Sequence, residues 1–195
     1  MSGVGTTLPE HFVQRSYLKE AIEMKSSKRG PGSTSSGTPL SAAQALEHCA
    51  QIEANGVEFY QGVLKGTGSK WIRDLAGMMV EAEQRHHDRF LRYAELARSA
   101  GASGAEALEP IPAELARLMS DGVFLSRELA EKTSHNIDER QALRMAIRFE
   151  ENTVLLLGQI RSYVPREQRK FVDRVLKEEQ DHQAKLESYW KKYFG

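Results

Sequence analysis

The sequence predicts an all-α protein, a four-helix bundle built from two helical hairpins with a long helical crossover between them. Three observations carry this. Four long stretches repeat apolar residues at three- and four-residue intervals, the spacing that gathers side chains on one face of an α-helix. Each stretch places an acid in the middle of that apolar line. The second half of the chain also restates the first: Ile52-Glu53-Ala54-Asn55 is answered by Phe149-Glu150-Glu151-Asn152, and Glu81-Ala82-Glu83-Gln84-Arg85-His86 by Lys177-Glu178-Glu179-Gln180-Asp181-His182. Glu150 follows Glu53 by 97 positions and Glu179 follows Glu83 by 96, so the halves read as two copies of one helix pair.

Residues 1–40 read as a separate N-terminal tail and 41–195 as the helical domain. Within the tail, Phe12, Val13, Tyr17, Leu18 and Ile22 recur at helical intervals in a short stretch ending near Lys25. That stretch reads as a surface helix or a loose end, with a tethered docking peptide as the sharper alternative. Residues 26–39, rich in Ser and Gly, have almost nothing to bury and read as a flexible linker.

The first long helix is expected from Ser41, where Ser41 and Gln44 have capping-box spacing, to about Lys65, before Gly66-Thr67-Gly68. Its inner line is Leu46, Cys49, Glu53, Gly56, Tyr60, Val63. Ser69 is expected to cap a second helix over 70–100, with the line Ile72, Ala76, Met79, Glu83, His86, Phe90, Tyr93, Ala97. Residues 101–112 contain two glycines and two prolines and read as a connection. A less regular helical stretch over 113–132 then crosses between the halves. Asp138, with Gln141 three residues on, is expected to cap a third helix reaching about Tyr163, with the line Leu143, Ala146, Glu150, Thr153, Leu157, Ile160. Pro165 is expected to open the fourth, whose line is Val172, Val175, Glu179, His182, Leu186, Tyr189, Tyr193.

Composition narrows the function. Lys+Arg and Asp+Glu number 27 each, so there is no basic excess of the kind a nucleic-acid binder carries. A single cysteine, Cys49, forms neither an internal disulfide nor a cysteine-based metal site. No segment approaches the roughly eighteen uninterrupted apolar residues of a membrane helix, and the first residues lack a secretion signal. The expected location is cytoplasmic, with no membrane and no nucleic-acid partner.

The chemistry lies in the repeated Glu-x-x-His unit. Residues three apart share a helix face, so Glu83 with His86, and Glu179 with His182, each aim a carboxylate and an imidazole at one place. Glu53 and Glu150 stand about thirty residues upstream of their respective units. One such unit is weak evidence in a chain with six histidines; two in register, each with its upstream Glu in matching context, are strong. The plainer reading is a solvated acidic face drawn slightly out of register. That reading needs the same error four times, at mid-helix each time. Four buried carboxylates without compensation cost several kcal/mol each, and a pair of divalent cations supplies the compensation. Six residues are therefore the candidate metal ligands: Glu53, Glu83, His86, Glu150, Glu179 and His182.

At these residues the chain resembles the ferritin-like superfamily and, within it, the rubrerythrin-type di-iron proteins, over about 41–194. Gln51-Ile52-Glu53-Ala54-Asn55-Gly56-Val57-Glu58-Phe59-Tyr60 is similar to that family's first helix, where a ligand Glu precedes a Phe-Tyr pair. The resemblance implies Glu53 and Glu150 as terminal carboxylates, Glu83 and Glu179 as metal-bridging ones, and His86 and His182 as one imidazole per metal. It also implies two iron ions per chain, with manganese or zinc as substitutes, an external electron donor and a homodimer. Two departures stand out. Thr153 occupies the place of the extra ligand Glu usual in rubrerythrins, which leaves a symmetric four-Glu, two-His centre. The four-cysteine rubredoxin domain is missing as well, so electrons come from a separate donor or from ferrous iron itself.

The implied function is reduction of hydrogen peroxide or O₂ at a carboxylate-bridged di-iron centre. A ferroxidase or iron-storage component, docked to a larger assembly by the tail, is the alternative, and a metal-free helical scaffold is the third reading. Around the six ligands, Tyr60 reads equally as a core residue or as a hydrogen-bond partner of a ligand carboxylate. Cys49 reads as a buried thiol, and His87 as pointing away from His86's face. His11, His48 and His135 read as surface residues. Asn55 and Asn152 read as supporting contacts or as shared ancestry.

Overall fold

The computed structural model describes residues 41–100, 137–164 and 166–195. The readings of the tail and linker (1–40), of the crossover (101–136), of His11 and His135, and of Pro165 lie outside the described residues. The described residues form an all-α four-helix bundle with four helices: α1 (Ala42–Gly66), α2 (Lys70–Ala100), α3 (Glu139–Arg161) and α4 (Arg169–Phe194).

Local chemistry sets the starts of α1 and α3 where the sequence placed them. Ser41 accepts from the Gln44 backbone N–H while the Gln44 side chain accepts from the Ser41 N–H, and Asp138 and Gln141 make the same reciprocal pair. Each pair satisfies two backbone donors that a helix start otherwise leaves unmade. Ser69 behaves differently from expectation. Its carbonyl accepts the first helical bond of α2, from Arg73 (3.0 Å), but its hydroxyl donates to Glu139 in the first turn of α3. α4 begins at Arg169, later than Pro165. Arg166–Gln168 form turns, and the Arg169 guanidinium donates to the carbonyls of Val164 and Ser162 (3.0 and 3.2 Å). Those carbonyls follow the end of α3, so the arginine that opens one helix closes the preceding one.

α1 and α2 are joined by Thr67-Gly68-Ser69 and run antiparallel; Arg98 near the end of α2 pairs with Glu47 near the start of α1. α3 and α4 also run antiparallel, with Arg161 paired to Asp173 at one end and Arg140 lying over Trp190 and Phe194 at the other. The hairpins meet where Ile137 N–H donates to the Gly66 carbonyl (3.0 Å).

The core is divided. One apolar cluster fills the end formed by the start of α1, the end of α2, the end of α3 and the start of α4, with Leu46, Cys49, Phe90, Leu157, Ile160, Val172 and Val175. A second fills the opposite end, with Phe59, Tyr60, Val63, Ile72, Met79, Leu143, Phe149 and Leu186. Each large apolar side chain fully buried there contributes about 1.5–3 kcal/mol. The buried lines match the sequence reading along α1 and α3, and along α2 except at Tyr93, which is half-buried against the first cluster. The line fails at the last turn of α4: Tyr193 is 52 % exposed, its ring leaning on Trp71 at 5.2 Å. Between the two clusters lies a layer of buried acids and one buried histidine. No helix among the described residues is long and apolar enough to cross a membrane.

Candidate metal centre

Each helix delivers its acid to that middle layer. Glu53 on α1, Glu83 on α2, Glu150 on α3 and Glu179 on α4 are all fully buried, and His86 on α2 is 1 % exposed. His182 on α4 is 21 % exposed. The six residues expected from sequence therefore come together, five of them dry and one reaching the surface.

They assemble as two overlapping groups. Glu53, Glu83, His86 and Glu179 bring one ligand atom each within 4.8 Å of one another, and so do Glu83, Glu150, Glu179 and His182. Glu83 and Glu179 belong to both groups; each group adds one Glu and one His of its own. The imidazoles of His86 and His182 stack at 5.6 Å between centroids, 23° apart in plane. Oxygen and imidazole donors of this kind suit a divalent metal of intermediate hardness.

The polar atoms of the layer bear on whether a cation fits. Both oxygens of Glu53, both of Glu83, one of Glu150 and one of Glu179 are buried without a hydrogen-bond partner among the described residues. Buried polar atoms are nearly always satisfied, and leaving one carboxylate oxygen unmade costs about 1–3 kcal/mol or more. Oxygens without a hydrogen bond converging on one layer, with Glu179 Oε1 and Glu53 Oε2 facing the His86 Nδ1, are the arrangement that a bound cation satisfies. Either group could hold a metal ion.

The charge balance of the layer without metal follows from the same geometry. Burial pushes the Glu83 carboxyl well above the usual range, and the negative charge of Glu179 and Glu150 pushes it further. Glu150 is raised in the same way, by burial first and then by Glu179. Glu53 is raised by burial and by Glu179. His86 behaves oppositely to an ordinary buried histidine: burial lowers its affinity for a proton, yet contacts with Glu179 and Glu53 outweigh this and push it up to about 10. Its Nδ1 lies against Glu179 Oε1 and 3.5 Å from Glu53 Oε2. Glu179 is held down to about 2; burial acts against this, and hydrogen bonding to His182 and His86 prevails. Without metal, protons and one imidazolium hold the layer together.

Three residues outside the six complete the centre. Tyr60 donates its hydroxyl to Glu150 Oε1, so of its two sequence readings the hydrogen-bond partner is the one realised, across to the other hairpin. Glu178 accepts from His86 Nε2 at 2.8 Å and from Arg89 at 2.8 Å. Gly56 leaves room for a ligand: a Cβ there meets Glu83 Oε2 at 2.8 Å. Sequence reasoning missed Glu178, which sits beside a ligand in a charged run and carries no signal of its own. For Gly56 a signal existed, since glycine inside a helix costs about 0.5–1 kcal/mol against alanine and calls for a reason. The remaining readings divide. Cys49 is a buried free thiol, and His87 turns to Asp88 at 2.9 Å. Asn55 accepts from Gln51 at 3.1 Å and so does not brace the ligands through that bond. His48 is half-buried, and burial lowers its pKa, which corrects its reading as a surface residue.

No family model matches this chain, and neither a curated protein nor a solved structure matches it.

Proposed function

We propose that this chain is a ferritin-like, rubrerythrin-type di-iron oxidoreductase that reduces hydrogen peroxide or O₂ with electrons from a separate donor. The observation that carries the reading is the sharing of Glu83 and Glu179 between two ligand groups that otherwise have their own Glu and His. Two adjoining sites with shared carboxylates suit two cations of the same kind side by side. When bound, a pair of ferrous ions supplies two electrons together, which matches the two-electron reduction of peroxide to water.

The chain's own residues do the rest. Glu53 and His86 would hold one position and Glu150 and His182 the other, while Glu83 and Glu179 would serve both. The apolar clusters above and below exclude water from the layer, with Phe59 stacked on Phe149 at 4.8 Å closing one side. The Tyr60 hydroxyl keeps a proton at Glu150 Oε1, and burial with the Glu150 charge raises that phenol well above its ordinary value, so it stays a donor. The resemblance to rubrerythrins also supports a homodimer and an external electron donor. A cytoplasmic location accords with the one buried free cysteine.

Anaerobic addition of Fe(II) to metal-free protein tests the reading. It expects saturation near two ions per chain and, after addition of hydrogen peroxide, oxidation of that iron with repeated turnover once a chemical reductant is supplied. Retention of many more irons per chain in air favours iron storage, with Fe(II) as the substrate. No binding at all removes both.

A further inference from the structure

The internal repeat makes each supporting residue comparable with its counterpart. His86 and His182 hold equivalent places in the two candidate ligand groups, yet among the described residues only His86 is braced at its outer nitrogen. Glu178 on α4 accepts from His86 Nε2 (2.8 Å) and is itself held by Arg89 on α2 (2.8 Å). The position that corresponds to Glu178 in the other half is Ala82, 96 residues earlier, which offers no acceptor. His182 uses Nδ1 for a bond to Glu179 (3.1 Å) and is 21 % exposed against 1 % for His86.

We infer that Glu178, braced by Arg89, is a positioning residue for His86, and that its absence from the other half makes the two metal positions unequal. The inference rests on the metal reading above. An imidazole whose Nε2–H is committed to a carboxylate presents Nδ1 in a fixed tautomer and a fixed ring plane. For His86 that nitrogen faces Glu53 and Glu179. A ligand already in place re-forms its metal bond before the ion escapes, so the Glu53/His86 position exchanges slowly. His182, with Ala82 in place of the brace and an edge open to solvent, can swing out; the Glu150/His182 position exchanges fast and is where an ion enters and leaves.

Cobalt(II) is the probe, loaded without air and followed by its visible absorption, then withdrawn with excess EDTA. The wild-type protein is expected to release cobalt in two phases, one slow and one fast, and His182→Ala to remove the fast one. Glu178→Ala is expected to accelerate the slow phase about 10–100-fold, the usual scale for losing a partner of a metal-bound histidine. Glu178→Gln keeps an acceptor and is expected to restore most of the slow phase. Glu178 is 37 % exposed, and thermal unfolding of both variants checks that the fold is intact. A single release phase in the wild type, an unchanged slow phase in Glu178→Ala, or equal acceleration in the Ala and Gln variants overturns the inference while leaving the metal centre standing. Failure of the wild type to bind cobalt overturns the metal reading itself.

Discussion

The first hairpin keeps its histidine dry and braced and leaves Glu53 without a hydrogen bond from the other half; the second does the reverse. His86 is buried and bonded to Glu178, while both oxygens of its companion Glu53 lack a hydrogen bond. Glu150 takes the hydroxyl of Tyr60, while its companion His182 opens to solvent. The residues at the matching positions explain this. Tyr60 on α1 corresponds to Leu157 on α3, and Glu178 on α4 to Ala82 on α2. Each half therefore supports a ligand belonging to the other. The six converging residues repeat between the halves, whereas the contacts that support them do not.

The strongest way to break the comparison is to remove what the halves share. Glu83→Gln together with Glu179→Gln is expected to abolish metal binding at both positions, read by metal content after dialysis. Because Glu179 is also the carboxylate partner of the buried His86 imidazolium, the metal-free variant is expected to melt several degrees lower than metal-free wild type. Loss of only one ion per chain rules out sharing.

Gly56→Ala strikes one half. Its Cβ meets the Glu83 carboxylate, which must move, while the helix gains about 0.5–1 kcal/mol from alanine in its interior. A fall in metal affinity with equal or higher thermal stability is expected; unchanged affinity by calorimetric titration means the carboxylate has slack. Its counterpart, Thr153, already carries a side chain at 2 % exposure.

Tyr60→Phe makes the halves more alike by giving α1 the apolar character of Leu157. It leaves Glu150 Oε1 without its donor, at a cost of about 1–3 kcal/mol, and is expected to lower the melting temperature of metal-free protein more than that of loaded protein. Equal losses in both forms make Tyr60 a packing residue alone.

The smallest effect is graded with pH. Glu83, Glu150 and Glu53 are raised in the fold by burial and then by the charge of Glu179, and His86 reaches about 10. A group raised on folding contributes stability that is complete below its unfolded value and is lost as pH climbs through the folded one. Metal-free protein is therefore expected to melt lower at about pH 9 than at about pH 6. Glu179, held down to about 2, acts in the opposite sense: its contribution is present above the usual carboxylate range and is lost as pH falls through about 2. Loaded protein reverses the upper trend, because ligand deprotonation favours the cation. A metal-free melting temperature that rises with pH contradicts this charge arrangement.

The bundle and the six converging residues were legible because both are written in helical periodicity. An acid interrupting the buried line on each of four helices is a pattern that no single substitution erases. The capping pairs at Ser41 and Asp138 were legible for the same local reason. What connects helices was not. Glu178 looks like any other charged residue until the fold brings α2 beside it, and Ser69 has the composition of a cap but finds Glu139 across a hairpin boundary. The start of α4 was misplaced because Arg169 is drawn to the carbonyls of Ser162 and Val164, a competition between helix start and preceding turn that spacing does not encode. The asymmetry of the two halves rests on such contacts, and so it emerged only with the fold.

The divided core has a consequence for how the chain reaches its finished form. Neither hairpin alone contains a complete ligand group: the first supplies Glu53, Glu83 and His86 but lacks Glu179, and the second supplies Glu150, Glu179 and His182 but lacks Glu83. A cation that needs four donors thus recognises the docked pair of hairpins over either one apart, and stabilises docking in proportion to the logarithm of its concentration. On the metal reading, metal supply would then add to the cross-hairpin bonds of Tyr60 with Glu150 and of Glu178 with His86 and Arg89 in favouring the docked bundle.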